Sequence, residues 1–489
     1  MSEHLRVAII GAGFAGIGMA IKLQQANAGP YLVFERAGRI GGTWRENHYP
    51  GCCCDVPSHV YSYSFDLNKG WSRGFAPQWE ILCYIEQTAR HHNVIPHIRC
   101  NHEVVQATWD EAAHRWIIDT SQGVFTADIL VNASGALSDP KAPEIPGIEG
   151  FTGKMFHSAQ WDHDHDLSGE RVAVIGTGAS AIQFVPAIQP DVARLMLFQR
   201  TAPWVIPRWD HQITRIEHLL LKIPFSEALV RAVLYWGLEA RLIGFRHPRV
   251  MQLTDRLARW HLKRQVSDPD LRRKLTPGYI MGCKRILISD NYYPSLDQDN
   301  VEVVTDGIAE VTDHAIITTN GTEHRVDTII FCTGFEVTKP PIARRIRGRD
   351  GRTLAEHWAT SMQAHKGTTV PGFPNLVMMT GPNTGLGHNS MIFMIESQLA
   401  YVLDCLRVMR ESGATTFEVK PDAAERYNKQ LQQKLQGTVW TSGHCHSWYL
   451  DDTGRNTILW PTFSWTYRRH TRNFDTKSYE LATHSDVRP

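Results

Sequence analysis

The chain has 489 residues, of which 42% are hydrophobic and 21% charged, and its formal net charge is +1. A prior of about 150 residues per domain predicts two to four domains. The near-neutral charge provides no basic field, which disfavours nucleic-acid binding. The nine cysteines are too sparse for a disulfide framework, so reduced cysteines and a cytoplasmic location are expected.

The first predicted elements are a buried strand, RVAIIG, and a helix that contains IGMAIKLQQ. Between them lies a GxGxxG motif formed by Gly11, Gly13 and Gly16. Such glycines permit a tight turn and let the backbone approach a pyrophosphate, which then faces the helix N-terminus. The next predicted strand, YLVFE, ends at Glu35, where a carboxylate can accept hydrogen bonds from a ribose diol. This order favours an adenine dinucleotide site over a simple tight turn.

A second unit of the same kind begins at RVAVIGTGASA, with Gly176, Gly178 and Ala181 in the glycine-motif positions. Its second strand, LMLFQR, ends at Arg200, which takes the place that Glu35 has in the first unit. A guanidinium can bind a phosphate in bidentate fashion, so this site is expected to prefer NADPH over NADH. The alternative, in which Arg200 is only a solvated surface charge, stays open.

Two such units predict an α/β fold with two Rossmann-like dinucleotide-binding domains, one for FAD and one for the NADPH that reduces it. Two further strands, ADILVNASG and VDTIIFCTGF, end in small-residue turns suited to a crossing between domains. Asn320 and Gly321 predict a tight hairpin just before the second of them.

The stretch LLLKIPFSEALVRAVLYWGLEARLIGF, residues 219–245, is the most apolar of the chain. Charged residues interrupt it at roughly helical spacing, which predicts amphipathic helices and no stable membrane insertion. Contact with a membrane surface remains an alternative for these helices.

Two long signatures show that the sequence resembles the type I Baeyer-Villiger monooxygenases, which are class B flavoprotein monooxygenases. The fingerprint FxGxxxHxxxW followed by Pro or Asp is met by Phe151, Gly153, His157, Trp161 and Asp162. The related N- and S-oxygenating flavin monooxygenases, which are the alternative function, carry a tyrosine and a basic residue at the last two positions.

The second signature, GGxWxxxxYPGxxxD, is met by Gly41, Gly42, Trp44, Tyr49, Pro50, Gly51 and Asp55. The resemblance extends from about residue 5 to about residue 470. The tail SGHCHSWYLDDTGRNTILWP resembles that of the hydroxyacetophenone and aliphatic-ketone oxidisers.

The resemblance implies an enzyme that uses NADPH and molecular oxygen to convert small apolar ketones to esters or lactones. The family reaction proceeds through a C4a-peroxyflavin and a tetrahedral (Criegee) adduct. By resemblance, Arg285 stabilises the negative charge on the oxygen atoms and Asp55 holds Arg285 beside the flavin. His157 is given an orienting role in the linker between the domains and no proton transfer.

The resemblance also implies two sets of cofactor-binding residues. Those expected to bind FAD are Gly11, Gly13, Ala15, Gly16, Glu35, Thr43, Trp44, Asp55, Tyr61, Val104, Gly381, Pro382 and Asn389. Those expected to bind NADPH are Gly176, Thr177, Gly178, Ala179, Ser180, Ala181, Arg200, Thr201, Lys284 and Arg285.

The expected FAD domain is discontinuous, residues 1–140 and 336–489, and the expected NADPH domain is 141–335. A helical insertion, 211–275, is expected to form a wall of the substrate pocket. The oligomeric state is left open. No metal site is expected at His444, Cys445 and His446, because neighbouring side chains in an extended segment diverge and no fourth ligand is spaced nearby. None is expected at His163 and His165, which are interpreted as part of a solvated turn.

Two other functions are weighed against the expected one. A disulfide oxidoreductase would need a CxxC pair near the flavin, and the sequence has none. A protein that binds flavin or senses NADPH without catalysis is disfavoured by the presence of both Arg285 and Asp55.

Overall fold

The structure is a computed structural model that describes residues 3–443 and 445–483. Its strands are β1 (Glu3–Ile10), β2 (Tyr31–Phe34), β3 (Ile98–Arg99), β4 (Val104–Asp110), β5 (Arg115–Thr120), β6 (Gly123–Asn132), β7 (Lys154–His157), β8 (Arg171–Ile175), β9 (Arg194–Phe198), β10 (Val205–Ile206), β11 (Leu287–Ile288), β12 (Val301–Val304), β13 (Ile308–Val311), β14 (Ala315–Thr318), β15 (Glu323–Arg325), β16 (Thr328–Phe331), β17 (Ile346–Arg347), β18 (Leu376–Met378), β19 (Thr416–Val419) and β20 (Tyr479–Ala482).

Its helices are α1 (Phe14–Gln25), α2 (Thr43–Glu46), α3 (Gln78–His91), α4 (Ala181–Ile188), α5 (Arg215–Leu220), α6 (Ser226–Ala240), α7 (Leu242–Arg246), α8 (Pro248–Gln265), α9 (Pro269–Lys274), α10 (Tyr292–Leu296), α11 (Leu354–His357), α12 (Met391–Ser412), α13 (Pro421–Leu435), α14 (Val439–Ser442) and α15 (Ser464–His470).

The first large sheet has eight strands in the order β17-β4-β5-β6-β1-β2-β3, and β18 pairs in addition with β6. Strand β1 pairs in parallel with both β2 and β6. Helix α1 connects β1 to β2, so the first predicted dinucleotide-binding unit is present as a βαβ motif. Parallel strands buried on both faces are near-continuously apolar, as the run Val7 to Ile10 shows.

The second large sheet has five parallel strands in the order β12-β9-β8-β16-β7. Helix α4 connects β8 to β9, which forms the second predicted unit. Beside this sheet, β13, β14 and β15 form an antiparallel sheet. The predicted hairpin is confirmed, because β14 and β15 pair on either side of Asn320 and Gly321.

One hydrophobic core joins the two sheets. Its largest cluster of buried residues includes Ile9 and Val131 of the first sheet and Val174 and Leu197 of the second. The chain crosses between the sheets twice, and the two connectors pair with each other. Lys141 donates its backbone N–H to Gly334 at 2.9 Å, and Glu336 donates to Asp139 at 3.0 Å.

Helices α5 to α9 lie between β10 and β11, within the stretch predicted to be a helical insertion. Across the residues that the structure describes, no helix is both long enough and apolar enough to cross a membrane.

Candidate active site

The first glycine motif forms a turn that leaves no room for side chains. Gly11 has a φ of +97°, and a Cβ atom there would lie 2.6 Å from the carbonyl oxygen of Ala133. A Cβ on Gly16 would lie 1.9 Å from the oxygen of Gly11. These contacts exclude any residue but glycine and bring the start of α1 against β1. Ala15 is buried in the first turn of α1. The turn therefore fits a pyrophosphate that approaches the backbone at the helix N-terminus.

Glu35 lies directly after β2 and turns its buried carboxylate back to the glycine turn. Oε2 accepts from the backbone N–H of Ala12 at 2.9 Å, and Oε1 accepts from Ala37 at 3.0 Å. Arg45, which was not predicted, approaches Oε1 to 2.9 Å. The carboxylate is thus fixed where a ribose diol of a bound adenine dinucleotide would need an acceptor.

The second signature places its glycines on the first glycine turn. Gly42 has a φ of +55°, and a Cβ there would lie 2.9 Å from the Cα atom of Gly13. Thr43 and Trp44 open helix α2 directly afterwards. The indole N–H of Trp44 donates to the hydroxyl of Tyr61 at 3.1 Å. The predicted FAD residues Gly13, Thr43, Trp44 and Tyr61 are therefore brought together.

The same signature then contacts helix α4 of the second unit. Tyr49 donates its hydroxyl to Oε1 of Gln183 at 3.0 Å, and Gln183 donates to the carbonyl of Cys53 at 3.0 Å. Gly51 has a φ of +76°, and a Cβ there would lie 2.5 Å from the carbonyl oxygen of Gln183. The stretch from Gly41 to Asp55 thus contacts both glycine turns.

The second glycine turn is open on its outer side. A Cβ on Gly176 would lie 2.5 Å from the oxygen of Cys332, whereas a Cβ on Gly178 would have no atom within 4 Å. Gly178 and Ala179 are exposed, and Ser180 precedes helix α4, which begins at the buried Ala181. This turn therefore fits a phosphate group that binds to its solvent-exposed side.

Two cations lie close together beyond strand β9. Arg200 is exposed at the end of this strand. Burial lowers the pKa of Lys284, and the nearby positive charge of Arg200 lowers it further. Thr177 donates its hydroxyl to the carbonyl of Thr201 at 3.2 Å, which ties the glycine turn to the same place. Two neighbouring cations beside a glycine turn fit a phosphate that carries more than one negative charge.

Arg285 forms an ion pair with Asp55, which is 230 positions away in the sequence. Nε of Arg285 donates to Oδ2 of Asp55 at 2.7 Å, and Nη2 approaches the same oxygen to 2.6 Å. The negative charge of Asp55 raises the pKa of Arg285 above its ordinary value. Both side chains keep a partial exposure, 28% for Arg285 and 29% for Asp55. The guanidinium is therefore fixed and permanently charged, and a ligand can still reach it.

The position of this ion pair follows from its neighbours. Asp55 ends the signature that contacts the first glycine turn, and Lys284, next to Arg285, lies near Arg200 of the second unit. Tyr449 lies on the other side of Arg285. Burial raises the pKa of Tyr449, and the positive charge of Arg285 opposes that rise. The pair therefore lies between segments that contact the first glycine turn and the second unit.

The fingerprint residues build the packing around strand β7. Phe151 and Trp161 are buried, and Trp161 packs against Phe184 of α4 with ring centroids 5.1 Å apart. A Cβ on Gly153 would lie 2.2 Å from the oxygen of Asp327. Asp162 is at the surface, where its hydrogen bond with Lys154 lowers the pKa of the carboxyl.

His157 is a buried, neutral histidine. Its Nδ1 accepts from the backbone N–H of Ala159 at 3.1 Å, and its ring packs edge-on against Phe335 in the second connector. Burial lowers the pKa of His157 to about 4. A ring that stays neutral and contacts the connector between the sheets suits an orienting role better than proton transfer.

The segment before α12, which carries Gly381, Pro382 and Asn389, is held by Glu239, a residue that was not predicted to belong to the site. A Cβ on Gly381 would lie 2.5 Å from the oxygen of Gly367, and Pro382 follows it. Asn389 donates its side-chain amide to Glu239 of helix α6 at 2.6 Å. The backbone N–H of Ser464 donates to the same carboxylate at 2.9 Å.

Glu239 keeps its charge despite its burial. Desolvation raises its pKa, but hydrogen bonds from His388, Ser464 and Asn389 outweigh this and leave the pKa below its ordinary value. Helix α6 is thus bound to the segment that carries Asn389.

Val104 lies two residues after His102, whose backbone N–H donates to the carbonyl of Glu35 at 2.9 Å. It begins β4 and belongs to a second core cluster, whereas Ala12 and Trp44 belong to the largest one. Its backbone oxygen accepts from Arg345 at 2.9 Å.

The expectation that all cysteines are reduced is wrong for one pair. Cys283 and Cys445 form a disulfide across a sequence separation of 162 residues. Without a CxxC spacing, the sequence gives no local signal for such a pair. Cys283 directly precedes Lys284 and Arg285, so the disulfide joins the tail to the segment that carries the ion pair.

No metal site was expected at the residues around this disulfide. His444 lies outside the described residues, and Cys445 is in the disulfide. Within residues 3–443 and 445–483, Asp66, His91 and His92 form a surface group whose ligand atoms lie within 4.8 Å of one another. This group was not predicted.

Comparisons with known proteins agree with this geometry. The sequence profile of the pyridine nucleotide-disulphide oxidoreductase family matches residues 8–214. A Baeyer-Villiger monooxygenase of Pseudomonas aeruginosa is 51% identical over 486 residues, which span 99% of this chain and 92% of that protein. A Baeyer-Villiger monooxygenase of Streptomyces coelicolor is 49% identical over 482 residues, which span 98% of this chain and 93% of that protein.

A solved structure has the same fold. The crystal structure of OTEMO in complex with FAD and NADP superposes with a TM-score of 0.88 at 28% identity, and the match covers 99% of this chain and 100% of that one. The predicted α/β fold with two Rossmann-like domains is confirmed.

Proposed function

The chain belongs to the Baeyer-Villiger monooxygenases, and we propose that Arg285 and Asp55 are the pair of residues on which its catalysis depends. It is an FAD-dependent enzyme that uses NADPH and oxygen to convert ketones to esters or lactones. The ion pair between Asp55 and Arg285, with a hydrogen bond of 2.7 Å that joins the second signature to the segment after helix α9, is the observation that carries this proposal.

We propose that FAD binds along the first glycine turn and that NADPH binds along the second. When bound, NADPH supplies a hydride and the reduced flavin supplies the oxygen-transfer chemistry. Glu35 accepts from the ribose of FAD, and Arg200 and Lys284 bind the additional phosphate of NADPH. The residues before 141 and after 335 form the FAD domain, and those between form the NADPH domain.

Arg285 provides a fixed positive charge next to the reacting carbonyl group. A guanidinium stays protonated at any ordinary pH, so it cannot neutralise itself as charge develops on the carbonyl oxygen. Because its position is fixed beforehand, little reorganisation is needed at the moment of reaction.

Asp55 keeps Arg285 in place. Both contacts of the guanidinium, from Nε and from Nη2, go to one carboxylate oxygen, which leaves Nη1 of Arg285 directed elsewhere. The carboxylate also stabilises the charge of Arg285 in a partly desolvated site.

The substrate class is a small apolar ketone. Tyr449, beside Arg285, belongs to a core cluster that also contains Leu242, Phe245 and Trp440. Two of these residues come from the helical insertion, so apolar side chains from the insertion and the tail approach the charged pair. Apolar side chains beside the charged pair support binding of a ketone through its apolar part, with its carbonyl toward Arg285. A cytoplasmic location would supply the NADPH that this reaction consumes.

The experiment incubates the purified protein with NADPH, oxygen and a panel of linear, cyclic and aryl ketones, and identifies the products by mass. We expect a product that is one oxygen atom heavier than the ketone. Arg285→Ala is expected to retain NADPH oxidation and to lose ester formation, because hydride transfer does not need the cation at the carbonyl. Ester formation by this variant at the wild-type rate would refute the role of Arg285.

Asp55→Asn tests the supporting role separately. This variant keeps a hydrogen-bond acceptor but removes the charge, so ester formation is expected to fall by roughly ten- to a hundredfold, as for the loss of about 1.4 to 2.8 kcal/mol. Asp327→Asn is the matched control, because Asp327 forms a comparable ion pair with Arg171 at the surface of the second unit.

A further inference from the structure

Helices α5 and α6 expose large apolar side chains that the reaction does not use. Ile216, Leu219, Ile223, Phe225, Leu229 and Val233 are all more than half exposed, and Trp236 extends the same stretch. Leu229, Val233 and Trp236 are spaced at i, i+4 and i+7, so they lie on one face of α6. We call residues 215–240 with these side chains the exposed apolar face. An apolar surface this extended on two consecutive helices marks an interaction site.

The opposite side of α6 is anchored, so the exposure is a property of the folded protein. Glu239 accepts hydrogen bonds from Asn389 and Ser464, and Arg231 donates to the hydroxyl of Ser62 at 3.0 Å. Tyr235 packs against Phe393 with ring centroids 5.0 Å apart. The helix therefore has one face fixed to the rest of the enzyme and the other turned outward.

The charges that the exposed apolar face turns to solvent are mostly positive. Residues 215–240 contain three Lys and Arg against three Glu. Glu227 and Glu239 are buried, and Glu217 is occupied in the N-cap of α5 by Thr214. Arg215 and Lys222 are exposed among the apolar side chains.

Phe225 gives a second, independent observation. Its φ is +68°, in the left-handed region, and its side chain is 87% exposed. A bulky residue in this conformation strains the backbone. Because the side chain is exposed, its burial does not compensate for that strain. Asparagine or glycine would serve the turn better, so the fold does not account for a phenylalanine at this position.

We propose that the exposed apolar face attaches the protein to an anionic phospholipid surface. Apolar side chains interleaved with cations are what allows an amphipathic helix to lie in the interfacial plane of a bilayer. Lys and Arg beside them interact with anionic headgroups. A second copy of the chain fits less well, because a twofold interface pairs the same patch of both copies and would bring four cations, Arg215 and Lys222 of each copy, into one apolar contact.

The attachment is measured by sedimentation of the purified holoenzyme with vesicles. We expect binding to vesicles of mixed phosphatidylglycerol and phosphatidylcholine, weaker binding to phosphatidylcholine alone, and a decrease as salt is raised. Binding needs no turnover, so this result does not depend on the proposed catalytic pair. No binding to either kind of vesicle would overturn the proposal.

Phe225→Asn separates membrane attachment from folding. Because asparagine suits the left-handed conformation, the melting temperature is expected to stay the same or rise while vesicle binding falls several-fold. Leu229→Ser is expected to weaken binding similarly, and Lys222→Glu to remove the preference for anionic vesicles. Val105→Ser is the control, since Val105 is comparably exposed on β4, outside this face.

Light scattering tests the competing occupant. We expect Leu229→Ser to leave the oligomeric state of the wild type unchanged. A wild-type dimer that dissociates in this variant would show that a second copy covers the face and would overturn the proposal. Vesicle binding that survives both Phe225→Asn and Leu229→Ser would also contradict it.

Discussion

At the residue scale, the two proposed cofactor sites carry side chains of opposite charge at equivalent positions. Glu35 follows the second strand of the first unit, and Arg200 follows the second strand of the other. The carboxylate is held by the backbone of its own glycine turn, whereas Arg200 is exposed and lies near Lys284. The carboxylate of Glu35 is suited to accept hydrogen bonds from ribose hydroxyl groups, and the cations Arg200 and Lys284 are suited to bind a phosphate.

We expect Arg200→Ala to reduce the preference for NADPH over NADH by roughly ten- to a hundredfold, since a charge-assisted hydrogen bond contributes about 1.5 to 3 kcal/mol. The ratio of kcat/KM for the two nucleotides measures this effect. Arg194→Ala is the matched control, because Arg194 begins the same strand and pairs with Glu302. An unchanged ratio in Arg200→Ala would move the phosphate site elsewhere.

His157 predicts a dependence of stability on pH. Its pKa is lowered by burial to about 4 in the folded state, whereas an unfolded chain has an ordinary histidine pKa of about 6.5. Between these values the unfolded state binds the additional proton, so this group destabilises the fold as pH falls below about 6.5. Above that pH the histidine is neutral in both states and has no such effect.

Urea unfolding of the wild type and of His157→Gln measures this contribution. The variant loses packing and is expected to be less stable at neutral pH, but its deficit should shrink by about 2 kcal/mol between about pH 7.5 and about pH 5. A deficit that stays constant over this interval would mean that His157 has the same pKa in the folded protein as in the unfolded chain.

At the scale of elements, the stretch from Gly41 to Asp55 is what joins the two units. It contacts the first glycine turn through Gly42, helix α4 through Gly51, and Arg285 through Asp55. Such a loop can transmit a structural change at one cofactor to the other, because its glycines pack tightly against both units and the loop cannot move independently of them.

Gly51→Ala tests this joining role. A Cβ there adds a clash with Gln183 to the strain of a positive φ, so we expect a loss of about 2 to 4 kcal/mol in unfolding free energy and a slower reduction of the flavin by NADPH. Gly169→Ala is the matched control. Gly169 has a similar φ of +74° but no atom within 4 Å of its Cβ position, so the variant should lose only about 1 to 2 kcal/mol. Equal losses in the two variants would show that the contact with α4 has no role.

Local patterns in the sequence were enough for the two βαβ units, the hairpin at Asn320 and the identity of both cofactors. They succeed because glycine spacing and strand periodicity act over short stretches of chain. The residues that sequence reasoning missed are held by distant partners. Arg45 approaches Glu35, Glu239 binds Asn389 across 150 positions, and Cys283 meets Cys445 across 162. No spacing rule connects such positions before the chain is folded.

At the scale of the whole molecule, the tail contacts the proposed active site. Cys445 is bound to Cys283, and Tyr449 lies beside Arg285. The tail is thus joined to the segment from Cys283 to Arg285, which also lies between the two proposed cofactor sites. Disorder of the tail would therefore loosen the ion pair of Arg285 and Asp55.

Breaking the disulfide should affect stability and catalysis together. In the chain-entropy description, closing a loop of this length contributes about 5 kcal/mol, so a reducing agent is expected to lower the melting temperature of the wild type clearly. Cys445→Ser should show the lower temperature without the agent and no further decrease with it. Because the tail then holds Arg285 less firmly, we also expect more NADPH to be oxidised for each molecule of ester formed.

Cys83→Ser is the control, since Cys83 is an exposed free cysteine. Its melting temperature and its ratio of NADPH oxidised to ester formed should match those of the wild type. If the reducing agent leaves both properties of the wild type unchanged, the tail is held by its packing contacts alone, and the disulfide has no part in fixing Arg285.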